Sequence, residues 1–266
     1  MAIMDVKHKR FSPGSIDYEG SIGTNYDEGR ALSEQAKAVW LKAIESFVPR
    51  LELPTILDLG AGTGRFSSLL ASFPGARVIG VEPSRRMLRI ASRQHCSEAI
   101  SYVAGSAEAI PLGDGTCDVA WLSQVLHHIR NRAVCAAELY RVVRSGGRVF
   151  VRGAFADRLD GFPTLFRFFP GARRICEDLP TVEESVAVLE ANEFALEAHH
   201  RIQQRTCGSL CEFAERTRRR TDSSLVLLSD DEFHAGLVAM EQAVAHESDP
   251  APVLETLELL IFQRRR

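Results

Sequence analysis

Long hydrophobic runs are missing from this 266-residue chain: no segment approaches the roughly 20 consecutive apolar residues of a membrane helix, and none follows the basic Lys7-His8-Lys9-Arg10 start. Neither a membrane span nor a secretory leader is expected, and a cytoplasmic protein is. An excess of positive charge is missing too. Lys+Arg 32 against Asp+Glu 35 leaves a net charge of -3, no broad footprint for a phosphate backbone. Arg216 with Arg218-Arg219-Arg220, and the terminal Arg264-Arg265-Arg266, read as solvated helix faces or a tail. Membrane and nucleic acid are thus set aside as partners. Cys96, Cys117, Cys135, Cys176, Cys207 and Cys211 lack the paired spacings of a zinc site or a secreted disulfide framework and read as reduced thiols. No internal repeat or low-complexity tract is visible.

What remains is the composition of an ordinary globular protein with a continuous alternation of strand-like and helix-like segments. Thr55 to Leu59 predicts a short buried strand, ended by glycines and followed by a helix over Arg65 to Phe73. Strands follow at Ala76 to Val81, Ile100 to Ala104, Cys117 to Leu122 and Arg148 to Gly153, with helices at Ser84 to Gln94 and Arg132 to Val143 between them. Apolar strands alternating with amphipathic helices imply a parallel sheet covered on both faces. Beyond Ala154 the pattern loosens into an aromatic, irregular stretch. A helix at Thr181 to Asn192, a strand at Phe194 to Gln204, a long helix at Asp230 to His246 and a strand at Glu255 to Gln263 complete the chain. The two late strands suggest an antiparallel hairpin edge whose connection is stretched into a helical insertion. One domain is expected over 1–266: N-terminal lid helices in 1–48, a core in 49–153, cap insertions in 154–180 and 207–250, and the closing helix and strands in 181–206 and 251–266.

The turn Leu57-Asp58-Leu59-Gly60-Ala61-Gly62-Thr63-Gly64 carries the chemistry. Ligands of open parallel sheets sit at the carboxyl ends of the strands, on the first glycine turn. Gly60 and Gly62 allow backbone angles and an approach that a Cβ would block, and Gly64 lets the next helix pack closely. A dinucleotide site requires G-x-G-x-x-G, but the spacing here is G-x-G-x-G, with Arg65 where the third glycine would stand. Asp58 would repel a pyrophosphate and suits the ammonium of an amino acid. Glu82, at the end of the second strand and about 20 residues past the turn, has the spacing of an acceptor for ribose hydroxyls.

Leu57 to Arg65, Gly80-Val81-Glu82-Pro83-Ser84, Gly105-Ser106-Ala107-Glu108-Ala109-Ile110-Pro111 and Arg141 to Arg148 together resemble successive motifs of the class I methyltransferases that use S-adenosylmethionine (SAM), in the branch of ubiquinone-type and natural-product enzymes. The likeness covers about residues 25 to 153. It implies a Rossmann-like α/β sheet and SAM as cofactor, with S-adenosylhomocysteine as its product. Asp58 and Gly60 would hold the methionine part, Glu82 the ribose, and Ser106 with Ala107 the adenine edge, while Ala61, Gly62, Pro83, Glu108 and Ser123 join the cofactor set. Ser106 departs from the aspartate common at its position, which weakens the expected adenine contact or leaves it to backbone. Asn25-Tyr26-Asp27-Glu28-Gly29-Arg30 is similar to the family's lid, in which Tyr26 would close over the sulfonium and Arg30 pair with the methionine carboxylate.

A small-molecule methyl acceptor is the expected partner, and methyl transfer mainly by positioning the expected reaction, with a base where the acceptor needs one. That base is sought in His127 and His128, after the fourth strand. Adjacent helical residues diverge by about 100 degrees, so only one is expected to face the acceptor. His199 and His200 read as solvent-facing. Phe155, Phe162 and Phe166 are the expected substrate wall, since small-molecule pockets are mostly apolar. No metal is expected, and a homodimer stays open. The rivals are a macromolecule methyltransferase, an arsenite enzyme using Cys207 and Cys211, and a SAM-binding scaffold without turnover. The first lacks the Asn/Asp-Pro-Pro-aromatic sequence, since that position reads Ser123-Gln124-Val125-Leu126, and it lacks a Cys beside Pro there. The second lacks a third cysteine.

Overall fold

The computed structural model describes residues 11–48 and 51–266. The basic start at Lys7 to Arg10 and the expected boundary at residue 49 lie outside them. In chain order the helices and strands are α1 (Ser21–Arg30), α2 (Glu34–Glu45), β1 (Thr55–Leu59), α3 (Arg65–Leu70), β2 (Arg77–Glu82), α4 (Arg85–Gln94), β3 (Ile100–Ala104), β4 (Cys117–Ser123) and α5 (Arg132–Val142). They continue with β5 (Val143–Gly153), α6 (Pro163–Phe168), α7 (Pro170–Cys176), α8 (Val182–Glu190), β6 (Phe194–Cys207), α9 (Leu210–Thr217), α10 (Ser223–Val226), α11 (Asp230–Ala245) and β7 (Val253–Arg264). Local chemistry sets many of the starts. Ser33, Ser84, Asn131 and Ser209 each accept a backbone N–H with the side chain at a helix N-cap, and Thr181/Glu184 and Ser229/Glu232 form reciprocal capping boxes.

The strands form one 7-stranded sheet in the order β3-β2-β1-β4-β5-β7-β6, parallel except for β7, which runs antiparallel to both neighbours. The expected hairpin edge is present, its connection occupied by α9, α10 and α11. Sequence order reverses between β1 and β4, so a crevice opens at the carboxyl ends of these two strands. Register places Asp58 beside Gly80 and Trp121, Glu82 beside Ala104, and Ser123 beside Arg152. The stretch after Ala154, expected to be irregular, instead forms a 3-10 turn at Ala156–Gly161 and the short helices α6 and α7. Pro163 and Pro170 open these helices, where a missing N–H costs no hydrogen bond.

Strand alternation divides the interior in two. Trp121, Phe150, Leu259 and Ile261 face the layer that contains α2, α3 and the cap, while Val149, Val151, Leu260 and Phe262 face the layer of α5 and α8. Phe155 corrects the expected substrate wall. It leaves β5 in extended conformation (φ -134, ψ 147), keeps the parity of Val149 and Val151, and is 1% exposed in the second core with Val182 and Leu189. Among the described residues no helix is long and apolar enough to cross a membrane.

Phe155→Ala should therefore act on stability, lowering it by about 3–5 kcal/mol in urea unfolding, the usual cost of emptying a buried phenylalanine site. A loss below about 1 kcal/mol would contradict this core placement.

Candidate active site

The crevice opens into a cavity of about 1330 Å³, counting the solvent at its mouth, which runs from the glycine turn to the cap. At the turn, Gly60, Gly62 and Gly64 have φ of 74°, 56° and 86°, the left-handed region that side chains rarely adopt. A Cβ on Gly60 would lie 2.3 Å from Val125 and one on Gly64 2.2 Å from the Tyr102 hydroxyl, whereas one on Gly62 would meet nothing within 4 Å. Gly62 thus offers bare backbone to open space.

Asp58, 1% exposed on β1, accepts a hydrogen bond from Ser67 Oγ at 2.6 Å and lines the cavity. Burial raises its pKa to about 7, against the Ser67 hydrogen bond and aided by the nearby Glu82. Glu82 is also buried. Its Oε2 accepts Gly62 N–H and its Oε1 accepts Ser84 N–H, each at 2.9 Å, while burial raises its pKa. Glu82, Pro83, Ser106 and Ala107 do not line the cavity with Asp58, Gly60, Ala61 and Gly62. They follow it outward along the ends of β2 and β3, the order of the sheet. Glu108 turns elsewhere, accepting the N–H groups of Arg130 and Asn131 at the start of α5.

The N-terminal segment lies against this edge. Asp27 accepts a hydrogen bond from Thr63, and Arg65 donates to the carbonyl of Arg30 with its guanidinium 5.1 Å from the Tyr26 ring centre. Tyr26 and Arg30 both line the cavity, but Arg30 is already paired with Asp222 of the insertion at 2.6 Å. Arg216, expected on a solvated face, is half-buried in the cavity wall, where its guanidinium donates to the carbonyls of Gly29, Ala31 and Thr206. The end of a helix attracts such cations to its free carbonyls.

Both histidines line the cavity, against the expectation that only one would. Leu126–His128 is a short 3-10 turn, and the two rings lie 4.2 Å apart with Phe11 against each. His128 Nε2 shares a 3.0 Å hydrogen bond with the Tyr18 hydroxyl, whose pKa burial raises. His127 has no hydrogen-bond partner among the described residues. Burial, with His128 and Arg30 nearby, holds its pKa well below 6.5, and burial takes that of His128 to about 4. Both rings are therefore neutral at pH 7. His199 and His200 are exposed, with His199 sharing a hydrogen bond with Glu258 on β7. Phe162 and Phe166 line the far end with Leu165, Ile175 and Leu257.

Residues absent from the expected set complete the wall. Arg152 on β5 donates to Ser123 Oγ at 3.0 Å and to Gln204 Oε1 at 3.1 Å, so Ser123 turns its hydroxyl toward Arg152. Gln204 also accepts from Trp40 Nε1 at 2.7 Å. Gln124, just past β4, has φ 56°, and its side-chain oxygen accepts the N–H of Ala154. The signal for Arg152 was present: a lone charge inside Val149-Phe150-Val151-Arg152, on the parity of Phe150. Among the described residues no group of three or more His, Cys, Asp or Glu side chains is arranged to hold a metal ion.

The family model of a methyltransferase domain matches residues 57–151. Malonyl-[acyl-carrier protein] O-methyltransferase of Methylococcus capsulatus is 33% identical over 132 residues, 49% of this chain and 47% of that one. Demethylmenaquinone methyltransferase of Streptomyces griseus is 31% identical over 131 residues, covering 49% and 56%. The chain spans about half the length of the curated relatives it matches. In fold it is similar to a geranyl diphosphate methyltransferase solved with geranyl diphosphate and sinefungin, at TM-score 0.56 and 15% identity over 97% of this chain and 90% of that one.

The raised pKa of Asp58 makes a prediction for the protein without ligand. A carboxyl whose folded pKa exceeds its unfolded value stabilises the fold below the unfolded pKa, and that contribution is lost as pH rises through the folded pKa, here about 7. Asp58→Asn should match wild type in stability near about pH 4 and become more stable than it by a few kcal/mol at about pH 8 in urea unfolding. A stability difference independent of pH would contradict the buried, raised carboxyl.

Proposed function

Because the chain carries a class I, SAM-dependent methyltransferase domain, we propose that it moves the methyl of SAM to a small hydrophobic or aromatic molecule of natural-product metabolism. The observation that carries this reading is one cavity bounded at one end by the glycine turn and at the other by an apolar cap. The residues present fit SAM. Open space over Gly62 admits its methionine part against bare backbone, and the buried Asp58 carboxylate suits the ammonium. Each Glu82 oxygen accepts one backbone N–H and keeps a lone pair for a ribose hydroxyl. Pro83, Ser106 and Ala107 stand where the adenine would follow, and Tyr26 with Arg30 closes the methionine end. When bound, SAM supplies a methyl already activated on a sulfonium.

The chain's own residues then position and deprotonate. Phe162, Phe166 and Leu165 exclude water from the acceptor end, which holds an apolar molecule in one orientation at small cost in desolvation. His128 is engaged by Tyr18, so His127, neutral and with its ring nitrogens unpartnered, is the base available to an acceptor hydroxyl. Gln124 and Ser123 line the passage between the two ends.

Two measurements test this reading. Glu82→Ala should weaken S-adenosylhomocysteine binding in calorimetry by about 1.5–3 kcal/mol, the worth of hydrogen bonds to a charged group; unchanged affinity removes Glu82 from the cofactor site. Release of S-adenosylhomocysteine over a panel of aromatic and aliphatic small molecules should identify an acceptor, and cofactor binding with no turnover across the panel favours the scaffold. With that acceptor, His127→Asn should lower kcat by about a hundredfold or more. The wild-type profile should stay flat from about pH 8 to about pH 6, because a base with a depressed pKa remains unprotonated there. A change confined to KM would leave His127 a wall residue.

A further inference from the structure

We infer that the acceptor carries a carboxylate, and that Arg152 is the residue that receives it. Arg152 is 5% exposed in the cavity wall, and among the described residues no carboxylate lies within ion-pair distance of it. Its guanidinium carbon lies 4.4 Å from the Trp40 ring centre and 4.9 Å from that of Phe66. Of its five donors, two are used, by the neutral oxygens of Ser123 and Gln204, and its Nε is buried without a partner. A buried guanidinium without a counter-ion is costly, and an arriving anion relieves that cost. Burial, with Arg65 and Arg30 nearby and Glu255 opposing them from beyond ion-pair distance, lowers its pKa to about 9, so it stays charged at neutral pH.

Of the other guanidiniums that line the cavity, Arg205 is exposed, where solvent screens its charge, and the rest are engaged. Arg30 has Asp222, Arg216 is directed to backbone carbonyls, and Arg65 donates to the Arg30 carbonyl with Asp27 at 3.8 Å. This inference rests on the methyltransferase reading for the next step. SAM brings one carboxylate against an ammonium and a sulfonium, so its arrival adds positive charge to a wall already rich in arginine. The balancing anion must come with the acceptor. A carboxylate matches the planar fork of a guanidinium, and a single negative charge suits a wall that also holds Asp222 and Glu255. The apolar surface of Phe162, Phe166 and Leu165 takes the remainder, giving an aryl or alkyl carboxylic acid. Arg152 acts as an anchor. A carboxylate paired to a guanidinium is a poorer nucleophile, which directs the methyl to another atom of the acceptor, one within reach of His127.

Calorimetric titration of the full chain, with and without S-adenosylhomocysteine, decides the matter with a panel of aryl- and alkyl-carboxylates, each matched to its primary amide and its phosphate monoester. The expected result is at least one carboxylate bound about tenfold or more tighter than its amide, the loss of one charge-assisted hydrogen bond. That preference should vanish in Arg152→Met and survive in part in Arg152→Lys, with S-adenosylhomocysteine affinity equal to wild type in both. The inference is overturned if no carboxylate outbinds its amide, if the preference persists in Arg152→Met, if phosphate esters outbind carboxylates, or if Arg152→Met loses the cofactor product instead. Wild-type protein that fails to take S-adenosylhomocysteine overturns the methyltransferase reading, while the carboxylate-to-amide comparison without it still decides the anion site.

Discussion

The turn from β1 into α3 holds the carboxyl edge of the sheet together, because its amides face the neighbouring strand. Gly60 and Ala61 donate their N–H groups to the Val81 carbonyl at 2.8 and 3.1 Å, and Gly62 donates to Glu82. The other Glu82 oxygen takes Ser84, which caps α4. One short path of hydrogen bonds therefore joins β1, β2 and α4, and it exists only while the chain can pass three times through positive φ. A substituted Gly60 would be strained and would also meet Val125, the residue before the histidine turn. The glycine turn and the histidine turn thus meet at the same glycine.

The N-terminal segment and the helical insertion are fixed to this edge by arginine. Helix α1 ends at Arg30 with carbonyls that no further turn satisfies; Arg65 from the glycine turn and Arg216 from α9 donate to them. The Arg30 side chain reaches Asp222, whose burial would raise its pKa but which Arg30 and the Ser224 hydrogen bonds together hold below the usual carboxylate value. Trp40 joins α2 to β6 through Gln204 and covers one face of Arg152. These contacts gather positive charge in the cavity wall, where Arg152 has no carboxylate within ion-pair distance among the described residues.

Most of the sheet was legible in the sequence because its signals are local. Thr55 to Leu59, the G-x-G-x-G spacing and the capping residues each need only a few neighbours to be read, and the parallel order follows from their alternation. The failures have separate causes. Arg216 could be read as a solvated face only while its partners, Gly29 and Ala31, stood some 185 residues away in the chain. The histidines were separated by the 100-degree step of a long helix, but the chain makes a single 3-10 turn there. Phe155 and Arg152 were decipherable by parity: residues 150, 152 and 154 share one face of the extended chain and 149, 151 and 155 the other, so the aromatic goes to the core and the charge to the cavity.

Charge and proton transfer are kept on different residues. A histidine that titrated near neutrality beside Arg30 would be pushed further toward its neutral form, and burial already does most of this for His127 and His128. The fixed positive charge of the wall then comes from guanidiniums, which stay protonated at pH 7 even where burial lowers Arg152 to about 9. Such groups can orient an anion but cannot accept its proton. A neutral imidazole can accept one, and it adds no charge to a wall that already carries an excess. The pairing of His128 with Tyr18 leaves His127 as the ring without a hydrogen-bond partner among the described residues. Burial, more than the Arg30 beside it, thus holds the His127 ring neutral in this wall.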